Sequence, residues 1–245
     1  MKKYKLTDET KKLWDITLYR IEALRDFDNV KAGDKGGWIE KESNLSQEGN
    51  CWVGDNAMVY GDARVIGSAQ VYRSAQVYGS AQVYGRALVY GDAYVYGDAR
   101  VYVTAHVAGT AQVFDTAQIF GNTQVFGTAQ VFGNTQVCDN ARVYDNARVY
   151  GSAQVCGDAR VYGSAEVCGD AIVGSDEDYI VFKNWWSSGR YFTWTRSNNL
   201  WRVGCFLGTG EELIRKAYED SEQSGREYER IVRYVEETLK AETSK

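Results

Sequence analysis

A six-residue repeat occupies half of the chain and restricts its fold more than any other feature. Residues 49–174 divide without insertion or deletion into 21 hexapeptides such as GDARVY and GSAQVY. The third position is Ala in 18 of them, and the fifth is Val in 20. Alternate residues of an extended chain point to the same side, so these two positions predict one continuous interior of small and branched side chains.

The first two positions of each hexapeptide have the composition of a tight turn. The first is Gly in 15 units and Asp in four, and the second is mostly Asp, Asn, Ser or Thr. Gly and Asx tolerate positive φ, and short polar side chains bond the local backbone. Each hexapeptide is therefore predicted to be a short strand and a corner. Three units close a triangular coil of 18 residues, so 21 units predict about seven coils.

The repeat resembles the hexapeptide-repeat, left-handed parallel β-helix family, in which an aliphatic residue is followed four places later by a small one. Val59 with Ala63, and Val71 with Ala75, fit that pattern. The resemblance implies an all-β solenoid with a left-handed path and trimers packed along the prism. It also implies a possible enzyme class, because acyl-CoA-dependent acyltransferases of this family place a catalytic His on the prism wall. In contrast to the family pattern, the residue after the aliphatic one is here mostly Tyr or Phe.

The segments that flank the repeat resemble those of hexapeptide-repeat proteins common in phages and prophages. The similarity covers RIEALRDFDNVKAGDKGGWIEKESNLSQEGNCWV before the repeat and WWSSGRYFTWTRSNNLWRVGCFLGTGEE after it. We therefore expect three regions: an N-terminal cap over 1–48, the β-helix over 49–174 and a C-terminal region over 175–245. For a phage-encoded protein, the resemblance implies the cytosol of the bacterial host.

Local signals predict the structure of both caps. Residues 14–40 are expected to form short strands with a turn at Gly36 and Gly37. After residue 174 the alternating pattern predicts a β-hairpin, followed by two helices that begin at the capping boxes Thr209/Glu212 and Ser224/Glu227. The apolar face of the second helix is Tyr228, Ile231, Val232, Val235 and Leu239.

Composition excludes several classes of function. The chain has no Pro, as expected where almost every backbone N–H donates a hydrogen bond, and a single His, which rules out sites built on several imidazoles of one chain. The net charge of −5 is spread evenly, so we expect no binding of duplex nucleic acid. No apolar run is long enough for a signal or a span, which predicts a soluble cytoplasmic protein that does not bind membranes.

The five Cys residues form no CxxC pair, which favours free thiols and argues against a metal site. Cys138 and Cys156 stack on neighbouring coils, but parallel side chains fit disulfide geometry poorly, so both are expected to be reduced. No metal and no cofactor is predicted.

The sixth position predicts three outward aromatic ladders, because residues 18 apart stack directly. A stacked ladder stabilises the solenoid by itself. One ladder also reaches the upper end of the apolar area that monomers expose, which favours its burial in an oligomer; with the trimers that the family resemblance implies, we expect it to form the interface of a homotrimer. Its residues are Tyr60, Tyr78, Tyr96, Phe114, Phe132 and Tyr150.

The most irregular hexapeptide, VTAHVA, contains the lone His106 and has Ala108 where an aromatic residue is expected. Tyr90 one coil before and Phe126 one coil after would wall a notch floored by the Ala108 methyl group. We expect this notch to bind a ligand or a partner. Two alternatives stay open: a drifted repeat with an ordinary surface His, and an acyl-CoA-dependent acyltransferase that uses His106.

A second candidate surface is the predicted C-terminal hairpin, where aromatic and arginine side chains are concentrated. Such a mixture can stack a base or form the hot spot of a protein interface. It can equally anchor the hairpin on the last coil. The candidate residues are Trp185, Trp186, Arg190, Trp194, Arg196 and Trp201.

Taken together, the sequence predicts a non-catalytic, homotrimeric β-helix that acts by binding. The phage-type resemblance implies that the partner is a host factor, either a defence protein or its small nucleotide signal, which the protein would inhibit or sequester. The alternatives are the acyltransferase and a purely structural scaffold.

Overall fold

In the computed structural model, which describes residues 2–243, the hexapeptides form a three-sided β-solenoid. Each unit contributes a strand of two residues, and strands 18 residues apart pair in parallel in one of three sheets. The predicted fold class is therefore confirmed.

The three sheets are named here by the strands that the repeats contribute. Sheet 1 contains Met58–Val59, Gln76–Val77, Tyr94–Val95, Gln112–Val113, Gln130–Val131, Arg148–Val149 and Glu166–Val167. Sheet 2 contains Trp52–Val53, Gln70–Val71, Leu88–Val89, His106–Val107, Gln124–Val125, Arg142–Val143 and Arg160–Val161. Sheet 3 contains Arg64–Val65, Gln82–Val83, Arg100–Val101, Gln118–Ile119, Gln136–Val137, Gln154–Val155 and Ile172–Val173.

The interior is filled by the third and fifth positions, which are fully buried along the prism. Backbone N–H groups of each coil donate to carbonyl oxygens of the next coil. The Gln112 N–H donates to Ala129 O at 2.9 Å, and the Phe114 N–H donates to Val131 O at 3.0 Å. A Pro at a donating position would remove one of these bonds, which accounts for the absence of Pro in this region.

All 21 corners have positive φ at the first position, including six that are not Gly. Four of these are Asp, whose carboxylate accepts a hydrogen bond from the corner N–H of the next coil. Asp115 accepts from the Gly133 N–H at 3.0 Å, and Asp139 accepts from the Gly157 N–H at 3.1 Å. The Val103 corner, at φ 64°, has a branched side chain that cannot form such a bond and is strained in this region.

The N-terminal cap is built from three strands, β1 (Tyr4–Leu13), β2 (Ile16–Ala23) and β3 (Lys35–Ile39), followed by a 3₁₀ turn at Glu42–Asn44. β1 and β2 pair antiparallel, and β2 pairs antiparallel with β3. β3 then pairs in parallel with Met58–Val59, and Leu45 bridges Val65. These residues add part of an eighth coil to the seven that the repeats form.

The turn expected at Gly36 and Gly37 is wrong, since both residues lie inside β3. The cause is close packing against the first coil. A Cβ on Gly37 would lie 2.6 Å from Ala57 O, and one on Gly36 would lie 2.6 Å from Val53 O. The cap backbone can approach the coil this closely because neither residue has a side chain.

A buried lysine closes the open end of the first coil. The Lys3 Nζ donates to Cys51 O at 2.8 Å and lies 3.2 Å from Cys51 Sγ. Burial lowers the pKa of Lys3 below its ordinary value. This side chain thus satisfies a carbonyl that no further coil covers.

The C-terminal region has more strands than the predicted hairpin. After a 3₁₀ turn at Asp176–Asp178, four antiparallel strands follow in chain order: Tyr179–Lys183, Tyr191–Thr195, Leu200–Val203 and Phe206–Gly208. One face lies on the last coil, where the Glu166 N–H donates to Thr193 Oγ1 at 2.9 Å. The other face packs against two helices, α1 (Gly210–Asp220) and α2 (Glu222–Thr243).

The capping box at Thr209 and Glu212 is confirmed at the start of α1. The start predicted at Ser224 is wrong, because α2 begins at Glu222 and the Ser224 N–H donates to Ser221 Oγ at 3.1 Å. The predicted apolar face of α2 does contact the core beneath it. Neither helix, within the residues described, has the length and hydrophobicity needed to cross a bilayer.

Cys138 and Cys156 form a disulfide, so the prediction of two free thiols is wrong for this pair. Their Cα atoms lie 4.6 Å apart, within the separation that a disulfide spans. The rise between coils therefore suits the bond, even though both side chains start in the same direction.

Candidate functional site

The sixth positions form the aromatic ladders that the repeat predicts. Ladder 1 follows sheet 1, ladder 2 follows sheet 2 and ladder 3 follows sheet 3. Neighbouring rings stack with centroids between 4.7 Å (Phe114–Phe132) and 5.3 Å (Tyr144–Tyr162). Most of these pairs are parallel to within 5°, so each ladder is a regular column of rings.

Ladder 2 lacks one ring in its middle. Tyr90 stacks on Tyr72 at 5.1 Å, and Phe126 stacks on Tyr144 at 4.9 Å. Between the two pairs lies Ala108, whose side chain is a single methyl group. Tyr90 and Phe126 are two coils apart. Because each coil rises by about 4.8 Å, roughly 10 Å separates the two rings, which leaves the space of one ring between them.

This gap is a surface notch with a volume of about 400 Å³. Tyr90 and Phe126 wall it, Ala108 lies at its floor, and His106 and Gln124 line one side. The structure thus brings together the four residues that the sequence analysis proposed for the notch. Gln124, expected one coil after the notch, also lines it.

His106 lies beside the gap in sheet 2, in register between Leu88 and Gln124. Its ring meets Tyr90 edge to face, with centroids 6.4 Å apart and an angle of 75°. No side-chain hydrogen bond to His106 occurs among residues 2–243, so no carboxylate there orients its imidazole as in a catalytic dyad.

Two ladder hydroxyls bond a glutamine side chain of the next coil. The Tyr60 hydroxyl donates to Gln76 Oε1 and the Tyr102 hydroxyl donates to Gln118 Oε1, both at 3.3 Å. In each case the partner lies 16 residues later. The residue 16 positions after Ala108 is Gln124, and its side chain makes no hydrogen bond within the described part of the chain.

The tyrosines that stack on the outer sides of Tyr90 and Phe126 have raised pKa values. Burial raises the pKa of Tyr72, and the nearby Tyr90 hydroxyl adds to the effect. Burial likewise raises the pKa of Tyr144 on the other side.

Two members of the C-terminal candidate surface are buried and therefore unavailable to a ligand. Trp194 and Trp201 are 1% and 2% exposed and pack against the helices together with Phe192, so their proposed binding role is corrected. They do not anchor the sheet on the last coil either. Alternation along the strand directs Thr193 to the coil and Trp194 to the helices.

The other members of that surface are separated from one another. Trp186 packs edge to face on Tyr228 at 5.0 Å, whereas Trp185 is 73% exposed. Arg190 and Arg196 lie at the surface. These four side chains do not form a common pocket with the two buried tryptophans.

Ladder 1, the predicted oligomer interface, is covered at both ends by the chain itself. Tyr60 is buried under the cap by Leu18 and Trp38. At the other end, the Arg202 guanidinium lies 5.5 Å from the Tyr150 ring. The four rings between them, Tyr78, Tyr96, Phe114 and Phe132, are half-buried.

A cluster with metal-ligand chemistry lies on sheet 3 among the described residues. It consists of Cys138, Asp139 and Cys156. The two sulfur atoms are bonded to each other, so the oxidised cluster offers no thiolate.

Comparison with known proteins agrees with this architecture. Residues 57–73, 81–96, 135–151 and 153–169 match the family model described as YdcK Beta solenoid repeat. The hexapeptides are β-solenoid repeats. A relative named "Uncharacterized acetyltransferase YdcK", from Escherichia coli (strain K12), is 45% identical over an alignment of 65 residues; the match covers 22% of this chain and 19% of the relative. The chain thus matches about a fifth of the length of that relative.

Proposed function

We propose that this β-solenoid is a binding protein and that the gap at Ala108 receives a planar aromatic ring. The observation that carries the proposal is the missing rung of ladder 2, bounded by Tyr90 and Phe126. A ring seated there would have an aromatic neighbour on both sides. Stacking of a base on an aromatic side chain contributes about 1–3 kcal/mol, so two such contacts can hold a small ligand.

The wider role belongs to the same proposal. A protein of the phage type that binds a ring-bearing molecule without turning it over would sequester a host factor, either a nucleotide signal or a defence protein. The rigid prism favours this role, because a preformed notch loses little conformational freedom when the ligand binds.

The test fills the gap with an aromatic side chain of the protein itself. We expect Ala108→Phe to abolish binding of adenosine and of indole, measured by saturation-transfer NMR with each probe. A matched control is Ile66→Phe, which adds a ring at the same repeat position beside Tyr84, at the end of ladder 3. If neither probe binds the wild-type protein, or if Ala108→Phe binds both as well as wild type does, the proposal is refuted.

A second candidate function is acyl transfer from acyl-CoA, with His106 as the general base. The name of the Escherichia coli relative, which calls that protein an acetyltransferase, favours acyl transfer, as does the position of His106 beside the notch. The test is thiol release from acetyl-CoA in the presence of amine acceptors. Loss of turnover in His106→Ala, with wild-type thermal stability, would support this function, and the absence of turnover in wild type would remove it.

We also propose that the protein assembles as a homotrimer through ladder 1. The four half-buried rings between its covered ends support this assembly, since burial of aromatic rings is a large favourable term at interfaces. Light scattering should give three times the chain mass of 27.5 kDa. A dilute species with the mass of one chain would contradict the trimer.

A further inference from the structure

The notch continues along sheet 2 into a row of polar and cationic side chains. The fourth positions of successive hexapeptides on that sheet are paired in register. In order they are His106, Gln124, Arg142 and Arg160. This row lies beside ladder 2, because the fourth and sixth positions of a strand point to the same side.

Gln124 is placed to recognise the polar edge of a ring at the missing rung. Two ladder hydroxyls reach the glutamine 16 residues ahead: Tyr60 bonds Gln76 and Tyr102 bonds Gln118. A side-chain amide both donates and accepts, which matches the adjacent donor and acceptor on adenine. A purely hydrocarbon ring would leave this amide without a partner.

The two arginines supply positive charge at the distance where phosphates would lie. Arg142 is one coil beyond Gln124 and Arg160 is two coils beyond, about 5 Å and 10 Å along the prism. Both side chains are exposed, and no carboxylate forms an ion pair with either guanidinium in the described residues 2–243. Guanidinium groups bind phosphate through two parallel hydrogen bonds.

We infer that the site takes an adenine nucleotide: the base fills the missing rung against Gln124, and the 5′-phosphates extend along sheet 2 to Arg142 and Arg160. This inference rests on the proposed ring-binding function and names its ligand class. Two arginines on adjacent coils, about 5 Å apart along the prism, fit a diphosphate. An aromatic side chain of another protein would occupy the gap between Tyr90 and Phe126 but would have no phosphate to bind Arg142 and Arg160.

The experiment compares ADP with adenosine by isothermal titration calorimetry at low ionic strength. We expect ADP to bind wild type at least tenfold more tightly than adenosine does, with an affinity that falls as salt is added. Arg142→Gln/Arg160→Gln should reduce ADP binding to the level of adenosine and leave adenosine unchanged. The matched control, Arg64→Gln/Arg100→Gln, changes the same repeat position on sheet 3 and should leave both affinities at the wild-type value.

The outcomes separate this inference from the proposal on which it rests. If ADP binds no more tightly than adenosine, or if the Arg142/Arg160 variant binds ADP as wild type does, the nucleotide inference is overturned and the ring site stands. If indole binds wild type and both adenosine and ADP fail, the ring site again stands and its occupant is not an adenine nucleotide. If none of the three probes binds, both are overturned.

Discussion

Restoring the missing ring of ladder 2 should stabilise the protein. In Ala108→Phe, the new ring would lie between Tyr90 and Phe126 and gain two stacked contacts. The intact ladders show that the coil rise accommodates such contacts, with Phe114 at 4.8 Å from Tyr96 and 4.7 Å from Phe132. Aromatic pairs contribute about 0.5–1.5 kcal/mol each beyond the area they bury, so the gain is about 1–3 kcal/mol.

The assay is thermal unfolding followed by circular dichroism. A stabilisation of this size should raise Tm by roughly 5 °C in a chain of this length. Tyr102→Ala is the matched control, because it removes one ring and two stacks from ladder 3, which is uninterrupted at that point and is not assigned to the trimer interface, and it should lower Tm. An unchanged or lower Tm in Ala108→Phe would refute the reasoning, since it would mean that the gap does not have the shape of a ring.

Three further predictions follow from features outside the notch. Val103→Gly should raise the free energy of unfolding by about 1 kcal/mol, because Gly removes the strain of a branched residue at φ 64°; an unchanged denaturation midpoint would contradict this. Thr135→Val should raise it by about 1–2 kcal/mol, since the buried Thr135 hydroxyl has no hydrogen-bond partner among residues 2–243; a lower midpoint would contradict this. Burial raises the pKa of Tyr60 to about 12, above its value near 10 in the unfolded chain. The stability contributed by the neutral Tyr60 should therefore be complete below pH 10 and lost as the pH rises towards 12. Urea unfolding at a series of pH values should show this fall in the free energy of unfolding, and Tyr60→Phe should make the fall smaller.

The solenoid could be predicted from sequence because its local and global requirements coincide. Each hexapeptide repeats the same small residue, the same branched residue and the same corner, so an inference from one coil holds for all of them. The gap at Ala108 was visible for the same reason, since one departure stands out against a strict repeat.

The errors arose where contacts between distant segments decide the structure. Gly36 and Gly37 have the composition of a turn, but they are glycines because β3 presses against the first coil. Ser221 and Ser224 are both plausible helix caps, and only the end of α1 before Ser221 distinguishes them. The disulfide depended on a 4.6 Å separation between coils, which is a property of the stacked structure.

The role of Gln124 was hidden by the repetition that revealed Ala108. Gln occupies the fourth position of many hexapeptides, so its type has no special meaning in the sequence. The role proposed for it rests on the 16-residue offset seen between Tyr60 and Gln76 and between Tyr102 and Gln118, which depends on side-chain geometry. The burial of Trp194 could not be predicted either, because it depends on the helices that pack on its face of the sheet.

The most direct test of the central claim is the NMR signal of the Ala108 methyl group during titration with adenosine. A ring seated at the missing rung lies over this methyl group, so we predict a large ring-current shift of its resonance, together with shifts of the Tyr90 and Phe126 ring protons. The Tyr84 and Tyr102 rings of ladder 3, which has no internal gap, should not shift. An unchanged Ala108 methyl signal at saturating adenosine, or equal shifts in ladder 3, would contradict the claim that the gap in ladder 2 is a binding site.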